Sequence, residues 1–466
     1  MTEKRTAARV VIAGSGGDSG KTLVSMGLIA SWRRRGHQVV AFKKGPDYID
    51  AAWLEFAAGH EARNLDTYIM GVEGVQRSFE QNCRRADVSL IEGNRGLFDG
   101  LDVRGTHSTA ELAKLLHAPV ILVLNVTKVT RTAASVVLGC LKLDPEVNIA
   151  GVILNNVAGQ RHETIVRESI ESICGVPVLG AIPKISGESC LPGRHLGLIT
   201  PAEHPGTGGL KEKIADIADR HIDGGRILEI AYGAPALRKS SRSTAGSTPE
   251  IEKSVRIAYF RDSAFTFYYP ENLEALQTAG AELIPVSSLR SASLPPCDGL
   301  YIGGGFPETH AGRLSENHSL LTDVHRQAHK GLPIFAECGG LIFLCRSISY
   351  ENKTFALAGV FPLDLQMMPK PQGHGYMEVE VDTENPFFSV NTVIRGHEFH
   401  YSKVITGSDQ ANSIYAVKRG QGCFDHRDGL AFSNVLASYL HIHAIGTPIW
   451  AKNFVKLARD HHNHGK

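Results

Sequence analysis

Two doubly wound α/β domains with mostly parallel sheets are predicted for this chain, on three observations. Short β-branched runs alternate with amphipathic stretches along most of the sequence. That alternation breaks once, in a Ser-, Thr-, Pro- and Gly-rich segment, and then restarts. At 466 residues the chain is also too long for a single hydrophobic core.

In the first half, "RVVIAG", "QVVAFK", "VSLIEG", "PVILVLNV" and "IAGVILN" are apolar on successive residues, the pattern of strands covered by helices on both faces. They define a first domain over residues 8–230. The stretch "AYGAPALRKSSRSTAGSTPEIEKS", residues 231–254, is the expected linker. "VRIAYF", "AELIPV", "GLYIGGG" and "PIFAEC" then open a second domain over 255–457. The remainder, 458–466, is expected to be a polar tail that frays and does not use its histidines for metal.

Composition narrows the function classes. Forty-nine Lys+Arg against 48 Asp+Glu give a net charge of +1, so no field draws the protein to nucleic acid or to an anionic membrane. No run approaches the roughly 18 apolar residues of a membrane span, and "MTEKRTAARVVIAG" lacks the apolar core of a secretory leader. Eight cysteines are scattered without a CxxC pair, which suits a reducing compartment. A cytoplasmic protein is expected.

"RVVIAGSGGDSGKTLVSMGLIASWRRRG" reads as strand, glycine-rich loop and helix. Gly14, Gly17 and Gly20 allow backbone N–H groups to turn inward around phosphate oxygens. Lys21 can reach the outer phosphates, and the Thr22 hydroxyl can hold Mg²⁺. Leu23, Met26, Leu28, Ile29 and Trp32 give the helix an apolar face, and Arg33 to Arg35 with Gly36 close it.

Two further strand ends carry charge. "VVAFKKGPDYID" offers Lys43 or Lys44, Asp47 and Asp50, and "LIEGNRGLFDG" offers Glu92 and Asp99. Phosphoryl transfer needs carboxylates for the metal and a cation for the developing charge. Asp47 and Glu92 are the metal candidates and Lys43 the neutralising cation. The plainer alternative is that these acids cap helices or close turns. Asn155 or Asn156, in "GVILNNV", could lie near the adenine or simply serve a turn.

In "PIFAECGGLIFLC" a strand, Pro333 to Ala336, meets Glu337, Cys338, Gly339 and Gly340 and then a helix. A tight strand-to-helix turn presents a nucleophile and aims backbone N–H groups at an oxyanion, and a helix start favours thiolate. The glycines argue against a buried, inert core cysteine. Gly304 and Gly305, in "GLYIGGGFPE", would complete the oxyanion site with Gly339. "LASYLHIHA" puts His441 at the end of a late strand as the base; His443 has the same side-chain parity if the strand continues, so one of the two only orients or packs. His397 and His400 are rivals better suited to structure or substrate contact.

With these residues in place, the chain resembles the cobyrinate a,c-diamide synthase family over nearly its whole length. "GDSGKT", "FKKGPDYID", "RNLDTYIMG", "IEGNRGLFDG", "STAELAKLL", "GVILN", "LPGRHLGL", "GGGFPE", "ECGGLIFL", "RGHEFHYS" and "SYLHIH" fall in that family's order. The resemblance implies a dethiobiotin-synthetase-like ATP-binding P-loop domain followed by a class I glutamine amidotransferase-like domain. Five residues separate Gly14 from Gly20, as in dethiobiotin synthetase, and Gly16 stands where partition-type ATPases keep a lysine.

By that likeness ATP and Mg²⁺ are the cofactors, and glutamine and a tetrapyrrole polycarboxylate the partners. Cys338 releases ammonia with His441 as base. An acyl phosphate then carries amidation of the a and c carboxylates of cobyrinate or hydrogenobyrinate. Tyr48, Asp50 and Asp99 fall on the acceptor side, and a homodimer is compatible with this reading.

Two departures leave alternatives open. His441-Ile-His443 replaces the His-x-Glu of many relatives, so the third member of the site is unassigned. Lys44, Asn94 and Arg95 replace apolar residues, which admits sirohydrochlorin, siroheme or a related tetrapyrrole as acceptor. Readings from other classes are a nucleotide-switched partitioning ATPase with a non-catalytic C-terminal binding module and a cysteine hydrolase regulated by ATP.

Overall fold

A computed structural model describes residues 7–84, 86–185, 200–201, 204, 207–237, 255–407 and 410–464, with the backbone alone at 193–194 and 197–198. Most of the expected linker, part of "LPGRHLGL" and the last two residues lie outside the described residues. The chain forms two compact units, Met1–Thr67 with Gly71–Thr244, and Tyr68–Met70 with Ala245–Lys466.

The first unit is built on seven strands: β1 (Arg9–Gly14), β2 (Val39–Lys44), β3 (Arg63–Leu65), β4 (Val88–Gly96), β5 (Val120–Asn125), β6 (Ile149–Val157) and β7 (Val178–Pro183). Their order is β3-β2-β4-β1-β5-β6-β7, and every pairing is parallel. Because parallel strands share one direction, their C-terminal ends collect along one edge, where ligands bind in such folds. Helix α1 (Lys21–Arg34) follows β1 and buries Val24, Met26, Leu28, Ile29 and Trp32 in the unit's core. Full burial of an apolar side chain such as Leu28 stabilises by about 2 kcal/mol. Helix α2 (Tyr48–Ala58) follows β2 and is capped by Asp47, whose Oδ1 accepts from the amides of Ile49 and Asp50, both at 2.9 Å.

The second unit has a nine-stranded sheet. Five strands, Ala281–Val286, Val255–Phe260, Gly299–Ile302, Ile334–Glu337 and Val435–Ser438, are neighbours in that order and parallel. Arg427–Phe432, Ser413–Arg419, Gly373–Val381 and Val393–His400 continue it in antiparallel pairs. Separate apolar clusters form on this unit, one around Phe260, Phe343 and Leu365, the other around Tyr301, Phe335 and Trp450.

The α/β class is as expected, with the first unit's sheet parallel throughout and the second unit's parallel over five of its nine strands, and there are two local differences. The late strand ends at Ser438, so His441 lies beyond it, joined to His397 by an isolated bridge. The last helix, Ile449–His464, continues through residues expected to fray. Its buried Trp450, Phe454 and Ala458 anchor it, and His462 Nδ1 lies 2.8 Å from Asp298 Oδ1. Among the described residues no helix is long and apolar enough to cross a membrane.

Candidate active site

In the first unit the phosphate loop is shaped by its own contacts. At Gly14 a Cβ would stand 2.3 Å from Ser19 Oγ and 3.0 Å from Lys21 Nζ. Gly20 has φ +96°, and a Cβ there would meet Asn155 Nδ2 at 2.1 Å. Both positions therefore require glycine. Gly17 does not, since a Cβ would meet nothing within 4 Å. Asn155 is buried and donates to Ser19 O at 3.0 Å, so it braces the loop from β6. Lys21 donates to Gly16 O at 3.2 Å, and burial, then Lys43, lowers its pKa.

A charge cluster stands beside the loop. Lys43 Nζ, almost fully buried, donates to Asp50 Oδ2 (2.6 Å), Glu92 Oε1 (2.9 Å) and Gly93 O (3.1 Å). Burial alone would lower its pKa, but Asp50, Glu92 and Asp47 outweigh that and keep it a cation. Burial and the neighbouring Asp50 push Asp47 upward. Glu92 lies within β4, not after it, and its Oε1 also accepts from the Thr22 hydroxyl at 2.9 Å.

Glu92 Oε2 is buried and has no hydrogen-bond partner. An orphaned carboxylate oxygen next to a P-loop hydroxyl fits a hard divalent cation. Among the described residues no set of three or more His, Cys, Asp or Glu side chains could hold a metal alone. Mg²⁺ is ordinarily completed by phosphate and water oxygens, so this does not count against the fit.

The acceptor-side candidates are less concentrated. Tyr48 begins α2, half-buried. Asp50 is tied to Lys43, and exposed Asp99 accepts from Gly96 N at 2.8 Å, closing a turn.

In the second unit Cys338 sits between the strand Ile334–Glu337 and the helix Gly339–Leu344 at φ +48°, ψ −98°. Such a dihedral in a non-glycine residue is strained, as at nucleophile elbows. Gly340 is needed because a Cβ would stand 2.4 Å from Ile302 O. Gly304 and Gly305 pair with Phe267 and Phe265. A Cβ on Gly304 would be 2.5 Å from His441 Cε1 and 3.3 Å from Nε2, and one on Gly339 would be 3.1 Å from Gly305 N. One glycine pair thus touches both the imidazole and the elbow.

Cys338 is 6% exposed, and its Sγ is 3.6 Å from Phe399 O. Burial, with Glu308, Glu337 and Asp428 adding to it, pushes the thiol well above its ordinary pKa. The Gly339 amide at the helix start does favour the thiolate, but burial and the three carboxylates outweigh it. A six-residue helix supplies too little field to offset desolvation and three carboxylates. Burial, then His400, pulls His441 down to about 3, so thiol and imidazole are both neutral at rest.

Two other histidines, His397 and His400, lie beside His441. The His397 ring stacks on His441 with centroids 4.7 Å apart, and His400 stacks on Tyr439 at 3.6 Å. His443 Nδ1 accepts from Ile445 N at 3.2 Å, and its Nε2 lies 3.6 Å from Glu271 Oε2. The sequence reading missed Asp428, which accepts from Ser438 Oγ, Tyr439 N and Leu440 N. "RDGLAF" carries no local sign of this, because the partners come from another strand's end.

Residues 10–198 match the family described as CobQ/CobB/MinD/ParA nucleotide binding domain, and residues 256–448 the CobB/CobQ-like glutamine amidotransferase domain. The chain is 43% identical to a cobyrinate a,c-diamide synthase of Magnetococcus marinus, covering 97% of each chain. It belongs to the cobyrinate a,c-diamide synthase family. A member of that family from Archaeoglobus fulgidus is 41% identical, again over 97% of each chain. A solved glutamine amidotransferase aligns with 43% of this chain and 98% of its own at 18% identity, with a TM-score of 0.33. Family membership makes the chain a C–N-bond-forming ligase with glutamine as amido donor, and the partitioning and regulated-hydrolase readings are set aside.

Proposed function

We propose that the chain amidates the a and c carboxylates of cobyrinate, using ATP to activate each carboxylate and glutamine to supply the nitrogen. The observation that carries this reading is 43% identity, over 97% of both chains, to a relative of that name. The likeness spans both units, and amide synthesis of this kind needs both.

In the first unit a carboxylate oxygen of the ring attacks the γ-phosphorus of ATP, ADP leaves, and an acyl phosphate results. Loop amides and Lys21 hold the phosphates, and Lys43 offsets charge on the transferred group. Thr22, Glu92 and Asp47 would hold Mg²⁺, which shields phosphate charge when bound. Ammonia then attacks the acyl carbon and phosphate departs.

In the second unit Cys338 Sγ attacks the side-chain amide carbon of glutamine. Both partners start neutral, so His441 takes the thiol proton during the attack and gives it to the departing ammonia. The amides of Gly305 and Gly339 are suited to the oxyanion. Water then cleaves the glutamyl thioester, with His441 as base, and glutamate leaves.

A second acceptor reading, sirohydrochlorin or a related tetrapyrrole, is favoured by two cations at strand ends. Lys44 ends β2, buried, and Arg95 lies near the end of β4, exposed at φ +48°. Each is close enough for Arg95 to depress the Lys44 ammonium further, after burial and Lys43. Mass spectrometry with ATP, Mg²⁺ and glutamine, offering cobyrinate, hydrogenobyrinate and sirohydrochlorin side by side, tests both. Each exchange of OH for NH₂ lowers the mass by about one unit, so two amidations of cobyrinate give a loss of about two. No mass change in any acceptor would refute the reading.

A further inference from the structure

His441 lies past the end of its strand at Ser438 and meets the neighbouring strand through an isolated bridge to His397. A base on a loop still needs its ring fixed to within a fraction of an ångström. We infer that Glu337 and Asp428 are positioning residues for glutamine cleavage, two buried carboxylates that grip the main chain on either side of His441 and set its imidazole against Cys338. The inference rests on the reading of Cys338 as nucleophile and His441 as base.

Four consecutive amides around the base are fixed. Tyr439 N (3.1 Å) and Leu440 N (3.2 Å) donate to Asp428, His441 N donates to His397 O (2.8 Å), and Ile442 N donates to Glu337 Oε1 (2.9 Å). The strand carrying His397 comes so close that a Cβ on Gly396 would lie 2.0 Å from His441 O. Each carboxylate is also linked to the backbone of Cys338. Glu337 immediately precedes Cys338 and takes the Tyr301 hydroxyl on its other oxygen at 2.7 Å. Asp428 accepts from Ser438 Oγ at 3.0 Å, and Ser438 O accepts from Cys338 N at 2.7 Å.

Both carboxylates are fully buried. Burying a charge is costly, and a turn can be held by neutral groups. Two buried carboxyl groups, converging from two strands on one short segment, are warranted where the segment must not move.

The test uses the full chain and compares glutamine-supported with ammonium-supported amidation, alongside alkylation of Cys338 by iodoacetamide at pH 7. An ångström of displacement costs about 10²-fold, so Asp428→Asn and Glu337→Ala should each lower glutamine-supported kcat by about that factor. KM for glutamine and the ammonium-supported rate should stay within about twofold, and alkylation should slow as the base loses its place. Glu337→Gln, whose amide oxygen can still accept from Ile442 N, should recover most of the rate.

A shared fall in both nitrogen-source activities, or alkylation that is unchanged or faster, overturns the inference, because a merely loosened fold would expose the thiol. If Asp428→Asn does not fold, the contrast between Glu337→Ala and Glu337→Gln decides on the same readouts. Cys338→Ala and His441→Ala run in parallel. Retained glutamine-supported activity in either would sink the Cys–His reading itself. Loss in both with no effect of the carboxylate variants would sink only the positioning role.

Discussion

A thiol held well above its ordinary pKa attacks only as it gives up its proton, so under the proposed Cys–His chemistry Cys338 would depend on His441 more than a preformed thiolate would. Cys338→Ala should lower glutamine-supported amidation by about 10³-fold or more and leave activity with ammonium salts, which bypass the thioester. Loss of both in a folded variant would count against separate ammonia and ATP chemistry. Glu337 makes a second prediction at this scale. Burial raises its pKa from 4.5 to about 7, so between those values the folded protein holds a proton that the unfolded chain has released. The cost of ionising it is absent below 4.5 and complete above about 7. The wild type should therefore gain stability relative to Glu337→Gln as pH falls through that window, by up to about 3 kcal/mol. Denaturant melts of the two proteins at pH 5 and pH 8 check the sign, and a gap that widens in the opposite direction refutes it.

Elements show which parts of the site a sequence can carry. Strand, glycine loop and helix around Lys21, and strand, elbow and helix around Cys338, are contiguous, so their residue types alone announce the turns. Asp428 is invisible at that level, since its partners Ser438, Tyr439 and Leu440 reach it only through strand pairing. The strand end was misplaced at His441 because "LASYLHIHA" stays apolar past Ser438, while Asp428 takes the amides that a ladder would have used. Glycines divide the same way. Gly340 lies against the Gly299–Ile302 strand, so Gly340→Ala should cost about 1–3 kcal/mol, whereas Gly17→Ala, with open space around it, should leave stability within about 0.5 kcal/mol. Thermal melts that rank these two variants in reverse would contradict the packing argument.

For the whole molecule, the proposed amide synthesis gives the phosphate loop and the cysteine elbow complementary work. A carboxylate is a poor acyl donor until phosphorylated, and ammonia is mostly protonated at neutral pH until released at need. The two half-reactions should therefore separate by mutation. Lys21 lies in the first unit, where it reaches into the loop and donates to Gly16 O. Lys21→Ala should lose amidation with glutamine and with ammonium alike, by about 10³-fold, because neither nitrogen source can act on an unactivated carboxylate. Alkylation of Cys338 by iodoacetamide should proceed in that variant at the wild-type rate, showing an intact second unit. Turnover retained with either nitrogen source would mean that the carboxylate is activated elsewhere. The division of labour between the units would then have to be abandoned.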